Sequence, residues 1–156
     1  MSQRLSHART SHQHSWNLAF QPVILSQGSP EQVQDLGERA KKLAIIGAYA
    51  QTELGHGSEV SRLETTATYL PETEEFEIHS PTLTSTKWWV GGLAKTATHA
   101  VVQAQLILPG GKSKGPHLFI VQLRSLGKLS MRYTDGLNLR QYQRIIPYER
   151  VLHWVI

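Results

Sequence analysis

The 156-residue chain contains no cysteine, and this absence excludes several kinds of chemistry at once. Neither a disulfide framework nor a thiolate metal site can form, and no cysteine nucleophile is available. Long apolar runs are also missing, because the longest candidate, Leu43 to Ala50, is interrupted by Gly47. A membrane-spanning helix needs ~20 apolar residues. The sequence therefore predicts a globular protein without a membrane span.

A strong excess of one charge is also lacking, since the formal net charge is only +4. Proteins that bind nucleic acid usually concentrate Lys and Arg on one face or stripe. Here the basic residues are scattered along the chain, and a solvated surface of mixed charge explains them. We therefore expect no nucleic-acid partner.

The amino-terminal residues Met1 to Ser15 are rich in Ser, His, Arg and Gln and show no apolar periodicity. This composition predicts a disordered tail. Neither the histidines of the tail nor those further along fall into a metal-ligand spacing such as His-Glu-x-x-His. We therefore expect no metal site.

A helical segment is expected over residues 16–46. Trp16 to Leu25 is apolar enough to be a buried helix, and Ser29-Pro30-Glu31-Gln32 has the residue types of a capping box. Apolar residues then recur at helical spacing, which predicts a helix from about Pro30 to about Leu43.

Two β-hairpins are predicted in the middle of the chain. Leu63 to Leu70 is rich in β-branched and aromatic residues, and a turn separates it from an alternating segment near Phe76. Thr98 to Leu108 is another strand, which the Gly-rich turn Pro109 to Pro116 connects to a strand at His117 to Arg124. Hairpins without intervening helices favour an antiparallel sheet or barrel over a doubly wound α/β fold.

Several nucleotide and hydrolase motifs are incomplete. The turn Gly110-Gly111-Lys112-Ser113 lacks the earlier glycine of a phosphate-binding loop, since Leu106 stands there. It also joins two predicted strands, whereas a phosphate-binding loop opens a helix. No Gly-x-Ser-x-Gly elbow is present, so hydrolase chemistry has no candidate nucleophile.

Two loops carry residues suited to binding an anion or a planar ligand. From Ala48 to Ser58 a short apolar strand enters a polar, glycine-spaced loop, in which backbone amides can closely approach a ligand. In Lys87 to Leu93, adjacent tryptophans stand beside a glycine pair, which suits the wall of a site for a planar group. The residues alone leave open another interpretation, in which both are simply tight loops and one tryptophan lies in the core.

Together with their flanking segments, these loops resemble the acyl-CoA oxidase family in order and spacing, from about Trp16 to Arg124. The segments that carry the resemblance are Gln27 to Gln32, Ala48 to Ser58, Leu63 to Tyr69, Ile78 to Thr82, Lys87 to Leu93, Thr98 to Leu106 and Leu118 to Arg124. It implies a mainly β fold, the antiparallel β-barrel-like middle domain of acyl-CoA oxidases and dehydrogenases at 47–124, preceded by a short helical segment at 16–46. Residues 125–156 depart from the family's pattern and form a divergent carboxy-terminal segment.

The resemblance also implies a cofactor and a reaction. The family oxidises fatty acyl-CoA to trans-2-enoyl-CoA with FAD and passes the electrons to O2, which gives hydrogen peroxide in fatty acid β-oxidation. By position, Thr52 would hydrogen-bond the edge of the isoalloxazine, and Gly57 and Ser58 would approach the pyrophosphate. Trp89 and Gly91 would contact the flavin ring system.

The family's catalytic base is a glutamate in a carboxy-terminal helical domain that the resemblance does not reach. No catalytic residue is therefore assigned in this chain, and we expect no turnover from it alone. The alternative is a noncatalytic fragment that binds flavin or forms a homo- or hetero-dimer with oxidase subunits. The family implies a peroxisomal location, and the cytoplasm is the alternative. The final residues Trp154-Val155-Ile156 are not a Ser-Lys-Leu peroxisomal address.

Overall fold

The computed structural model describes residues 19–93 and 96–124, together with the backbone of three two-residue strands beyond them. The predicted tail at 1–15 and most of the segment 125–156 lie outside the described residues. The mainly β fold with a preceding helical segment is confirmed, because two helices come before a six-stranded sheet.

Two consecutive helices form the amino-terminal part of the described chain. Helix α1 covers Gln21–Gln27 and ends at Gly28. Helix α2 follows as three continuous segments, of which the middle one is wound as a π-helix: Pro30–Gln32, Val33–Gly37 and Glu38–Lys41. The predicted capping box is present, since the Gln32 amide donates to Ser29 Oγ at 3.3 Å and the Ser29 amide donates to Gln32 Oε1 at 2.9 Å.

The described residues contain eight strands, which are β1 Gly47–Ala50, β2 Thr66–Leu70, β3 Glu75–His79, β4 His99–Leu108, β5 Lys112–Gln122, β6 Leu137–Asn138, β7 Ile146–Pro147 and β8 Val151–Leu152. Five of them follow one another across the main sheet in the order β1-β4-β2-β3-β8, and β5 also pairs with β4. Strands β6 and β7 pair with each other. The main sheet is open, so these strands do not close a barrel.

The sheet differs from the predicted antiparallel arrangement along β4. Both predicted hairpins, β2–β3 and β4–β5, are antiparallel. Strand β1, however, runs parallel to residues 99–102 of β4, and the start of β2 runs parallel to residues 105–107. Both strands lie on the side of β4 opposite β5, because β5 pairs along both stretches. These two parallel pairs were not predicted, because the partners are far apart in sequence and leave no hairpin signal.

The β4–β5 turn is tighter than predicted. Strand β5 begins at Lys112 rather than His117, so residues 109–111 alone make the turn. Gly110 and Gly111 both have positive φ, 79° and 77°, a conformation that glycine adopts without a steric penalty. The early part of β5 is exposed and polar, which removed the apolar alternation that marks a strand.

Two hydrophobic cores lie on opposite faces of the sheet. The helices pack on one face through Phe20, Ile24, Leu36, Ala40, Ile45, Val101 and Ile120. A Cβ atom at Gly47 would lie 1.8 Å from the Phe20 ring, so this position needs a glycine for helix and strand to meet. On the other face, the segment after the tryptophans packs against the strands through Val90 and Leu93. The buried strand residues of this core are Ala48, Ala50, Ala67, Ala100, Val102, Ala104 and Phe119.

Candidate functional site

The loop 51–65 leaves the sheet where β1 ends and returns to the same edge of β4 where β2 begins. The last partner of β1 is Val102 and the first partner of β2 is Gln105, so the Gln103 backbone lies in a gap between the two strands. Nζ of Lys87 fills this gap by donating to the carbonyl of Gln103 at 2.6 Å and to that of Gln51 at 3.1 Å. The lysine thereby pairs backbone carbonyls that would otherwise be buried without a donor.

Lys87 also forms a buried ion pair with Glu53. Nζ lies 3.1 Å from Glu53 Oε1, and the two side chains are 1% and 0% exposed. The Glu53 carboxylate further accepts from the amides of Glu64 and Thr65, at 2.8 and 2.9 Å, and from the Thr65 hydroxyl. Burial lowers the pKa of Lys87 to about 8, although Glu53 beside it opposes that change. This pair fastens the loop to the segment that carries the two tryptophans.

The two loops predicted to form a site are neighbours in the structure. One backbone hydrogen bond joins them directly, from Trp88 N to Thr52 O at 2.8 Å. Two more hold the first loop to the residues that lead into Lys87, from Leu54 N to Thr86 O and from Gly55 N to Thr84 O, both at 2.9 Å. Thr52 is half-buried, and its hydroxyl donates to no described residue. The Thr52 side chain is therefore free to meet a ligand at this junction.

The two tryptophans lie at the surface. Trp88 is 37% exposed and Trp89 is 77% exposed, whereas Val90 and Leu93 are buried and anchor the segment in the core. Trp89 also has a φ of 58°, in the left-handed region, which costs an ordinary residue roughly 1–2 kcal/mol. The interpretation with one of these tryptophans in the core is therefore wrong. A strained, exposed aromatic side chain is more typical of a ligand-facing loop than of a structural turn.

Open space lies beside the glycine-spaced part of the loop. A Cβ atom at Gly57 would meet no other atom within 4 Å, whereas one at Gly55 would lie 2.7 Å from Cβ of Thr84. Gly57, Ser58 and Gly91 are all exposed. The amides of Gly57 and Ser58 donate to no described residue. Backbone amides without a protein partner are available to an anionic group.

A second pair of interacting side chains, His56 and Glu64, lies on the outer side of the loop. His56 Nε2 is 2.7 Å from Glu64 Oε1, and the side chains are 19% and 30% exposed. Glu64 also accepts from the hydroxyls of Thr82 and Thr84. Hydrogen bonds from Thr82, His56 and Thr84 lower the pKa of Glu64 to about 2, so this carboxylate is ionised at neutral pH.

The sequence signalled some of these residues and missed others. Thr52, Gly57, Ser58, Trp89 and Gly91 were predicted, and the structure places them on two adjoining loops. The sequence did not predict the pairing of Glu53 with Lys87 or of His56 with Glu64. The residues of the first pair are thirty-four positions apart and those of the second are eight apart. A usable signal was Lys87 itself, since a lysine in an otherwise buried stretch requires a counter-ion.

Two further features were sought within residues 19–93 and 96–124, a cluster of metal ligands and a membrane-spanning helix. That part of the chain holds no group of three His, Asp or Glu side chains arranged to bind a metal ion. Its helices also lack the length and apolar character needed to cross a bilayer.

Comparison with known proteins identifies the family. No family model matches the chain. Peroxisomal acyl-coenzyme A oxidase 1 of Arabidopsis thaliana is 60% identical over 111 residues, which are 71% of this chain and 16% of that protein. An acyl-CoA oxidase structure from Lycopersicon esculentum (tomato) is 53% identical with a TM-score of 0.77, and the match covers 81% of this chain and 19% of the tomato chain.

A third relative was solved with its ligands. Acyl-CoA oxidase-2 of Caenorhabditis elegans, bound with FAD, ascaroside-CoA and ATP, is 38% identical with a TM-score of 0.76. The match covers 91% of this chain and 22% of the nematode protein. The chain thus spans about a fifth of the length of the relatives it matches. It belongs, as a segment of that length, to the acyl-CoA oxidase family.

Proposed function

We propose that this chain supplies the flavin-facing surface of an acyl-CoA oxidase, with FAD bound across the Thr52 and Trp89 loops. The observation that carries the proposal is the state of Trp89, which is 77% exposed and strained in the left-handed region. A backbone hydrogen bond from Trp88 N to Thr52 O holds its loop beside the Thr52 loop. The buried residues Val90 and Leu93 hold the segment in its strained conformation. A planar ligand would cover the exposed Trp89 ring.

Each of the predicted site residues has a group that no other described residue occupies and that could contact the cofactor. The Thr52 carbonyl is occupied by the Trp88 amide, so its hydroxyl remains for the polar edge of the flavin ring. The free amides of Gly57 and Ser58 would hold the pyrophosphate. Gly91 is exposed and has no side chain, which leaves one face of the ring beside Trp89 open to substrate.

The bound flavin would supply the acceptor for hydride from an acyl-CoA and pass the electrons to O2. This chain's own contribution is to bind and orient the cofactor and to present one side of it. No residue of the chain is assigned as the proton-abstracting base. Fatty acyl-CoA as substrate and the peroxisome as compartment are part of the same proposal, supported by the peroxisomal oxidases that the chain resembles.

The experiment is a titration of the purified chain with FAD, followed by the flavin absorption spectrum and by equilibrium dialysis. We expect Trp89→Gly to weaken FAD binding about tenfold or more, because stacking on the indole is lost. Stability should rise by about 1 kcal/mol in urea unfolding, since glycine adopts a positive φ without strain.

Leu43→Gly is the matched control. Leu43 is also apolar, 56% exposed and left-handed, with a φ of 56°, but it lies at the end of helix α2 outside both loops. It should show the same gain in stability with unchanged FAD affinity. The proposal fails if the chain leaves the spectrum of free FAD unchanged, or if Trp89→Gly binds FAD as tightly as the parent chain.

A further inference from the structure

The junction between the two loops is built around a lysine that loses its water when the loops meet. We propose that this junction opens and closes with the exchange of one proton at Lys87, which makes Lys87 a positioning residue for both loops. The proton exchange belongs to the loops themselves and is measurable without flavin. Only its consequence for a bound cofactor rests on the proposed function.

The backbone of the junction brings Lys87 and Glu53 together. The two residues lie opposite each other in an isolated antiparallel bridge. Backbone hydrogen bonds from Trp88 N to Thr52 O and from Leu54 N to Thr86 O flank this bridge on either side. Residues opposite each other in such a bridge project their side chains to the same face. Here both project inward and are at most 1% exposed, so the junction cannot form without burying the lysine and the glutamate together.

Three acceptors surround the Lys87 amine in the closed junction. They are Oε1 of Glu53 at 3.1 Å, the Gln51 carbonyl at 3.1 Å and the Gln103 carbonyl at 2.6 Å. Glu53 and Gln51 belong to the loop, and Gln103 belongs to β4. When the loop parts from the sheet, Nζ loses these contacts and meets water instead. Closed and open junctions therefore differ in the surroundings of this one amine.

Glu53 is the charged contact of the Lys87 amine among the described residues. The other ionisable side chains of the loop and of the neighbouring strand β5 are engaged elsewhere: Glu64 with His56, Glu59 with Arg62, and His117 with the Gly115 carbonyl. Lys87 is thus the group whose proton responds to closure, and Glu53 is the group that opposes the loss of that proton.

The direction of the coupling follows from the two environments of Lys87. Burial in the closed junction lowers the pKa of Lys87 from 10.5 to about 8, although Glu53 beside it raises the pKa. In the open junction the amine is in water and its pKa returns to 10.5. The closed junction therefore holds the proton less tightly, and closure releases it between pH 8 and pH 10.5. Closure is most favourable above pH 10.5 and weakens as the pH falls through 8, so protonated Lys87 loosens the two loops.

Hydrogen exchange of the Trp88 and Leu54 amides measures the opening, because both amides donate across the junction. The Val33 amide, which donates to the Ser29 carbonyl in helix α2, is the internal reference. Dividing by the reference rate removes the general acceleration of exchange by base. In the chain without FAD, we expect the two junction rates, divided by the Val33 rate, to fall about tenfold between pH 7 and pH 9.

Two variants separate the proton from the packing. Lys87→Met removes the titrating amine, so the ratio should be the same at both pH values. Glu53→Gln keeps the amine but removes the charge that raises its pKa, so the pKa in the closed junction should lie further below 10.5. The ratio should then fall by more than tenfold, and this result decides the matter if Lys87→Met does not fold. Lys112→Met, at the exposed start of β5, is the control and should behave as the parent chain.

A ratio that stays constant or rises between pH 7 and pH 9 in the parent chain would overturn the proposal. The same holds for a tenfold fall that persists in Lys87→Met, or for a fall in Glu53→Gln no larger than that of the parent. FAD bound across both loops should slow the exchange of both junction amides at either pH. Exchange that FAD leaves unchanged, with the pH dependence present, contradicts the proposed function alone. Slower exchange with FAD, but no pH dependence, contradicts the proton-coupled junction alone.

Discussion

Two of the three carboxylates in the loop 51–65, those of Glu53 and Glu64, have very different surroundings. Glu53 points inward, where its side chain and that of Lys87 are at most 1% exposed. Glu64 points outward, where its side chain is 30% exposed and that of its partner His56 is 19% exposed. Both carboxylates accept several hydrogen bonds, yet Glu53 is buried beside Lys87 whereas Glu64 is partly exposed beside His56.

In the proposed function, this difference makes the inner side of the loop a scaffold and the outer side a binding surface. On the inner side, Lys87 donates to the carbonyl of Gln51 in the loop and to that of Gln103 in β4, and so fastens the loop to the sheet. On the outer side, the Gly57 and Ser58 amides have no partner among the described residues. Changes on the inner side should therefore affect stability first, and changes on the outer side should affect ligand binding first.

The largest effect is expected from Lys87→Met. The variant leaves the Glu53 carboxylate buried without its counter-ion and removes the donor to two buried carbonyls. Breaking a buried pair in this way costs about 3–5 kcal/mol of unfolding free energy. Urea denaturation measures the loss, and Lys112→Met at the exposed start of β5 is the control, with a change near zero.

A second variant shows whether the charge or the packing is responsible. In Glu53→Gln combined with Lys87→Met, no buried charge remains unpaired, so part of the lost stability should return. A loss below about 1 kcal/mol in Lys87→Met alone would show that the inner pair does not hold the loop.

A smaller effect, which disappears in acid, is expected from the pair of His56 and Glu64. The pKa of Glu64 is about 2 in the folded chain and 4.5 in a free side chain, so the ionised form favours folding. Its contribution is fully present above pH 4.5 and is lost as the pH falls from 4.5 through 2. The parent chain should thus exceed Glu64→Gln in unfolding free energy above pH 4.5, and the difference should vanish towards pH 2.

His99 provides an internal reference for that experiment. Burial, with the nearby Arg39 charge, lowers the pKa of His99 from 6.5 to about 4, while Asp35 opposes the change. A folded-state pKa below the unfolded value means that stability is lost as the pH falls from 6.5 through 4. This loss should be the same in the parent chain and in Glu64→Gln. A constant difference between the two down to pH 2 would contradict the stabilisation of the ionised Glu64 carboxylate by its hydrogen bonds.

Local features of the fold could be predicted from the sequence. The capping box at Ser29 and the hairpin of β2 and β3 depend on neighbours within about ten residues, and the structure confirms both. The two loops were also recognised, because glycine spacing and adjacent tryptophans are visible in a single segment. The family resemblance then gave the fold class and the site residues, of which the fold class is confirmed.

Long-range pairings could not be predicted. Gly47 pairs with His99 across the parallel β1–β4 contact, and neither residue signals the other. Lys87 gave no indication that it would complete the sheet edge at Gln103. Near Trp89, hydrophobicity favoured burial of a tryptophan, whereas the smaller Val90 fits the core between alanine-rich strands. In each case, contacts between residues far apart in sequence determined the structure, and the local sequence pattern did not indicate them.

Gly57→Leu should have the smallest effect on stability. It is also the most direct test of the ligand-facing side of the loop. The position has an ordinary φ and open space around it, so the unfolding free energy should change by less than about 1 kcal/mol. Gly55→Leu, which would meet the Thr84 side chain, should be clearly destabilised. Glu72→Leu, in the exposed β2–β3 turn, is the control for FAD binding.

The deciding measurement is the FAD dissociation constant of Gly57→Leu beside that of the parent chain. If the outer side of the loop receives the cofactor, the leucine side chain occupies the pyrophosphate's space. Affinity should then fall about tenfold or more, with the fold intact and with Glu72→Leu unaffected. An unchanged dissociation constant in a folded Gly57→Leu chain would contradict the placement of FAD on this loop.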